Sequence, residues 1–142
     1  MTFDELQELA DKDLKINDTE LDLESLKTPQ LHNKYMKFHN QYVNLLKKAE
    51  QDLARLTREK WEYYTGKADP SVYQVKPFNI KLLKPDVDKY IKADEDMIKL
   101  EQKVTYVQSV VDYLDRTVKI ISNRGFQIKN AIDWRKFTSG VI

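Results

Sequence analysis

"MIKLEQKVTYVQSVVDYLDRTVKIISNRGFQIKNAIDW", residues 97–134, decides how this chain folds. Met97, Leu100, Val104, Val107, Val111, Leu114, Val118 and Ile121 follow one another at alternating steps of three and four. Gly125, Ile128 and Ile132 continue the count. Apolar residues at this spacing form the a/d seam of a heptad helix, sustained here over about five heptads and interrupted only at Gly125. Val110, Ile120, Ala131 and Trp134 widen the stripe, and Tyr106 and Tyr113 flank it. Burying one aliphatic side chain contributes roughly 1.5–3 kcal/mol. So broad a stripe carries more apolar area than one other helix of the chain can cover. The expectation is therefore a ring-like homo-oligomer or bundle of several copies. Leu100, Val104, Val107, Val111, Leu114, Val118, Ile121 and Ile128 would form its contacts. An intramolecular antiparallel hairpin with an earlier helix is expected to cover part of the stripe alongside that assembly, or else to replace it.

That earlier helix is legible upstream. Thr28-Pro29 reads as an N-cap followed by a first-turn proline. Leu31, Tyr35, Phe38, Tyr42, Leu45 or Leu46, Ala49, Leu53 and Leu56 then mark one face. The pattern predicts a helix from Pro29 to about Tyr64, stopped by Gly66. Thr2 and Glu5 have capping-box spacing, and Phe3, Leu6, Leu9 and Ala10 form a short stripe, predicting a helix from Phe3 to Leu14. Residues 15–27 are acidic, with Leu21, Leu23 and Leu26 as docking points. Pro70, Pro77 and Pro85 break the region from Lys67 to Pro85, which reads as an extended loop or a short strand pair. Asp86 to Lys92 reads as a helical turn. The fold class is thus mainly all-α, with long helices joined by a Pro-containing loop. A length of 142 residues suggests a single domain, 1–142.

Charge is segregated along that domain. Residues 1–26, an acidic arm, carry two Lys and nine Asp or Glu, a net of −7. Residues 27–92, the basic helix and loop, carry fourteen bases and seven acids, a net of +7; residues 93–142, the heptad helix, net only +1. The arm could screen the basic middle, meet a basic partner, or be merely solvated. With no Cys, disulfides and thiolate metal sites are excluded. The start, MTFDELQELADKDLK, lacks the basic and apolar regions of a signal peptide, and no apolar run approaches a membrane span. A soluble intracellular protein without membrane contact is expected.

No catalytic arrangement emerges. His32 and His39 lie seven apart without carboxylates at ligand spacing. Ser109, Ser122 and Ser139 lack a nucleophile elbow, and no phosphate-loop motif is present. "DVDKYIKADED" lacks the glycine and spacing of a calcium loop. Neither enzyme activity, cofactor nor metal is expected.

One stretch invites a ligand. "REKWEYYTGKAD", Arg58 to Asp69, gathers rings and cations where the long helix gives out. Single strands are held without sequence preference by cations tracking phosphates and rings stacking bases. Arg55, Arg58, Lys60, Tyr63, Tyr64 and Lys67 are the candidate nucleic-acid contacts, with Lys76, Lys81 and Lys84 following. Trp61, three residues from Tyr64, reads rather as core. Arg58 and Lys60 stand about 200° apart around a helix of 3.6 residues per turn, so at least one must face solvent.

"ARLTREKWEYYTGKAD" and, near the C-terminus, "SNRGFQIKNAIDWRKFTSG" resemble the UvsY family of recombination mediators of T-even-like bacteriophages. The acidic "DELQEL" start, the length and the long final helix resemble it too. The resemblance implies a phage-encoded, non-enzymatic homo-oligomer of about six or seven copies, up to a heptamer, acting in the host cell cytoplasm. It implies binding of single-stranded DNA. It also implies loading of a phage RecA-like recombinase onto strands coated with the phage single-strand-binding protein, in DNA recombination, replication and repair. By the same resemblance Arg58 and Lys60 hold the DNA. The family's run at Gly66-Lys67-Ala68 is usually Gly-Arg-Gly, so here Lys67 would supply the charge. The competing readings are a coiled-coil scaffold and a virion-associated structural protein, neither touching nucleic acid.

Overall fold

The computed structural model describes residues 1–140. Among them the regular elements are all helical: α1 (Phe3–Leu14), α2 (Leu21–Tyr64), α3 (Pro70–Val75), α4 (Lys84–Ala93) and α5 (Glu95–Thr138). The mainly all-α expectation holds, but the strand pair does not form among the described residues. The region between the long helices holds α3 and an irregular stretch up to Leu83 instead. Pro70 and Pro85 each sit in the first turn of a helix, where a missing N–H costs nothing.

The described residues divide into two compact units. One joins residues 1–43 to the stretch from Ser109 onward, and the other is Asn44–Gln108. In the first, α1 opens with the expected capping box: Glu5 N donates to Thr2 Oγ1 (3.1 Å) and Thr2 N to Glu5 Oε2 (2.9 Å). Leu6 and Ala10 of α1 are fully buried with Tyr35 of α2 and Val110, Leu114 and Ile121 of α5. Phe3, Leu31, Phe38, Tyr113 and Val118 pack around them. The acidic arm is therefore not simply solvated. Its apolar stripe closes a three-helix core, and Asp13 holds it to α2 by accepting from Lys34 Nζ (2.7 Å) and Tyr35 Oη (2.9 Å).

Two sequence expectations change in this unit. Helix α2 begins at Leu21, so Thr28 and Pro29 lie inside it rather than at its start. Pro29 has no N–H for the turn before it, and its ring crowds that turn. Arg124 reaches this turn from α5: Nη1 donates to the Glu24 carbonyl and to Thr28 Oγ1, and Nη2 pairs with the Glu24 carboxylate. Arg124 and Glu24 are 2% and 4% exposed, so this is a charge pair inside the core. The Glu24 carboxyl is held below its ordinary pKa chiefly by the Lys27 hydrogen bond; burial opposes that shift and Arg124 adds to it.

The second change concerns the seam. Val107, Leu114, Ile121 and Ile128, seven residues apart, are all buried as expected. The positions between them are not Val111, Val118 and Gly125 but Val110, Thr117 and Arg124, which are 0%, 2% and 2% exposed. Val111 is buried beside the stripe, Val118 is half-buried, and Gly125 is exposed in unbroken helix. Thr117 meets its burial by donating to the Tyr113 carbonyl (2.9 Å). The side chains expected to join copies are thus largely covered by the chain itself, only Leu100, Val104 and Val118 being half-buried. The exposed apolar surface of α5 lies elsewhere, at Ile98, Ile120, Phe126, Trp134 and Phe137.

A candidate nucleic-acid interface

In the second unit the buried face of α2 runs through Leu46, Ala49, Leu53, Leu56, Lys60 and Tyr63, again at steps of three and four. Val87, Ile91 and Met97 pack against Leu53, Leu56, Tyr64 and Leu82. Lys60 therefore sits on the apolar face. Its side chain is 14% exposed, and its amino group lies 3.3 Å from Asp94 Oδ2 and 2.9 Å from Asp96 Oδ2. Burial alone would lower its pKa, but the two carboxylates outweigh that and hold it above the ordinary lysine value.

Asp94 is the hinge of this cluster. It caps α5 by accepting from Asp96 N (2.9 Å) and Met97 N (3.3 Å), and it accepts from Tyr64 Oη at 2.6 Å. Burial pushes its carboxyl up, yet those hydrogen bonds and the Lys60 charge hold it below the ordinary range. Burial and the Asp94 contact push the Tyr64 hydroxyl well above its ordinary value.

The two tyrosines are built into the protein. Tyr63 is 6% exposed, stacked on Tyr73 with ring centroids 5.4 Å apart, and donates to the Lys76 carbonyl (3.0 Å). Tyr64 is partly buried and packs edge-on against Phe78 (5.1 Å) and beside Tyr90 (5.7 Å). These rings hold the Pro-containing segment against the end of α2, and it is they, rather than Trp61, that pack inside.

Trp61 is instead 42% exposed. Helix α2 ends in a Schellman turn, with Lys67 N donating to the Glu62 carbonyl (2.8 Å), Gly66 N to that of Tyr63 (3.3 Å), and Gly66 at φ +76°. A left-handed residue at this point folds the chain back over the last turn, and Lys67 Nζ lies 4.5 Å from the centre of the Trp61 ring. Such a cation–ring contact contributes about 0.5–1 kcal/mol at an exposed site. Arg58, three residues before Trp61, shares its side of the helix. Its side chain is 74% exposed and only loosely paired to Glu62 (3.9 Å); Arg55 is 72% exposed and similarly loose on Asp52 (3.9 Å). The structure thus sorts the six candidates: Arg55, Arg58 and Lys67 face solvent, while the polar ends of Lys60, Tyr63 and Tyr64 are engaged within the protein. It adds Trp61. The 3-4 count along α2 carried the needed signal, since after Leu53 and Leu56 it lands on Lys60 and Tyr63 and passes over Trp61.

A mainly helical chain presenting a ring among loosely held cations has the parts of a single-strand-binding protein. Residues 9–141 match the family described as "Recombination, repair and ssDNA binding protein UvsY". The chain belongs to the UvsY family. It is 25% identical over 140 residues to recombination protein uvsY of Enterobacteria phage T4, covering 99% of both. It is also similar to crystal structures of the bacteriophage T4 recombination mediator protein UvsY. In lattice type II the TM-score is 0.86 at 25% identity, covering 98% of each chain. In lattice type I it is 0.84 at 25% identity, covering 94% of this chain and 98% of that one. The family resemblance seen in the sequence is thereby confirmed. No helix among the described residues is long and apolar enough to cross a membrane.

Proposed function

We propose that this chain is a recombination mediator that loads a RecA-like recombinase onto single-stranded DNA already coated by a single-strand-binding protein, inside an infected cell. The observation that carries the DNA-binding part is the exposed Trp61 ring with Lys67 over it and Arg58 and Arg55 close by in the helix. Each patch is small, so repetition matters. Linked copies raise effective concentration and turn weak contacts into avidity. A homo-oligomer of about six or seven copies, joined through α5, would supply that repetition. The exposed Phe126, Trp134 and Phe137 are the surface it would use, Trp134 and Phe137 being already stacked at 5.8 Å. A strand bent over such a repeated patch takes a path that competes with the coating protein and leaves bases open to the recombinase. The T4 relative's description as a recombination mediator supports the same reading.

The direct test is the lag before recombinase ATP hydrolysis on a pre-coated strand. Adding this chain should shorten it, and Trp61→Ala with Arg58→Ala should restore it. An unchanged lag with the intact protein would count against mediation. Loss of mediation with full DNA binding in the variant would count against the site.

A further inference from the structure

Beside the Gly66 turn lies a second feature, a groove of about 500 Å³. Tyr64, Gly66, Phe78, Asn79, Lys81 and Lys84 are among its walls, and none of its described lining residues is acidic. Its volume falls within the roughly 300–1,000 Å³ of small-molecule sites. Tyr64 and Phe78 meet edge-on, and the Tyr64 hydroxyl is committed to Asp94, so what Tyr64 offers a ligand here is ring. Asn79 is exposed and carries both a donor and an acceptor at one end. Lys81 and Lys84 are exposed, and neither makes an ion pair among the described residues. A rim of unopposed cations with an amide and two rings in the wall suits a planar, hydrogen-bonding group carried on an anionic backbone.

We propose that this groove takes one unstacked base of the bound single strand, with Lys81 and Lys84 on the flanking phosphates. The proposal rests on the reading that the second unit holds the strand, and it adds a base-accepting subsite to the solvent-facing patch at Trp61. A peptide side chain is the other occupant such a groove admits, but the absence of acidic lining and the two unopposed cations favour nucleic acid.

The experiment compares the full chain's affinity for an oligothymidylate and for an abasic oligonucleotide of equal length, by fluorescence anisotropy. The base-bearing strand should bind roughly fivefold tighter or more, as stacking of a base at about 1–3 kcal/mol implies. Phe78→Leu, which keeps apolar bulk in the ring cluster, should lower that preference several-fold, leaving the part that Trp61 contributes, without weakening abasic binding. Lys81→Gln with Lys84→Gln should weaken both strands alike and flatten their salt dependence. Circular dichroism checks that each variant stays folded, and the lysine pair serves if Phe78→Leu does not. Equal affinity for the two strands overturns the groove while leaving single-strand binding intact. So does a preference that vanishes with Trp61→Ala but survives Phe78→Leu. An unaffected lysine variant overturns it too. Failure to bind either strand overturns the groove and the function together.

Discussion

Lys60 and Trp61 are neighbours with opposite fates, and the difference is a matter of 100° of helix. Lys60 falls on the face that meets the core and is held by Asp94 and Asp96; Trp61 falls outside it. Their substitutions should therefore part company. Trp61→Ala should lower single-strand affinity several-fold, measured by anisotropy, with the urea midpoint unmoved. Lys60→Ala should leave the buried Asp94 carboxylate short of a partner and cost about 1–3 kcal/mol of stability in urea unfolding. Any loss of DNA binding would then follow unfolding rather than a missing phosphate contact. Arg58→Ala should weaken binding about uniformly across sequences and reduce the salt slope by about one. Acid should act through Asp94. Its carboxyl titrates lower folded than unfolded, where Asp lies near 3.9, so the folded state binds fewer protons in that window. The stability it contributes is present above about pH 4 and disappears as pH falls through the folded value. Asp94→Asn should make the urea midpoint less sensitive between pH 5 and pH 3, and an equal sensitivity would refute the assignment. The cation-and-ring composition of this region is plain in the sequence. Which ring faces water follows only once the helix phase is carried forward through Lys60, a residue that chemistry alone would place outside.

At the scale of the helix, Lys60 in α2 repeats what Arg124 does in α5. Each is a cation set into an apolar stripe and answered by a carboxylate from outside its own helix. That is why the seam of α5 is only half readable. Leu114, Ile121 and Ile128 announce themselves, whereas Thr117 and Arg124 are polar and yield their places on paper to Val118 and Gly125. The start of α2 is obscured likewise, because Thr-Pro is a good helix opening wherever its interior cost is not offset. Two substitutions probe this. Gly125 lies in exposed helix with open space where a Cβ would go, so Gly125→Ala should stabilise by about 0.5–1 kcal/mol in urea. Were Gly125 part of a packed seam, the same change would destabilise. Arg124→Ala should cost about 1–3 kcal/mol, since it takes from the buried Glu24 carboxylate its partner on α5 and leaves it only Lys27.

For the molecule as a whole, the greasy stripe that first suggested assembly is largely spent on the chain's own folding, and what remains is an aromatic end. Phe137→Asp with Trp134→Ala should lower the sedimentation coefficient and weaken DNA binding through lost avidity, with helicity retained. Unchanged sedimentation would remove α5's aromatic end as the contact. The family and the mainly helical class were within reach of sequence, because two family-like blocks and the periodicity carry them; the short strand pair it allowed does not form among the described residues. The use of the acidic arm was not, since Leu6 and Ala10 make too short a stripe to reveal what they pack against. The buried Glu24–Arg124 pair has one more effect, on alignment. Seven residues before Arg124 stands Thr117 and seven after it stands Ala131, so sliding α5 by a heptad past α2 leaves Glu24 facing no cation of α5, with only Lys27 of its own helix beside it. The apolar rows would tolerate such a slip; this single pair does not, and it works as a notch that sets the two rods in one position.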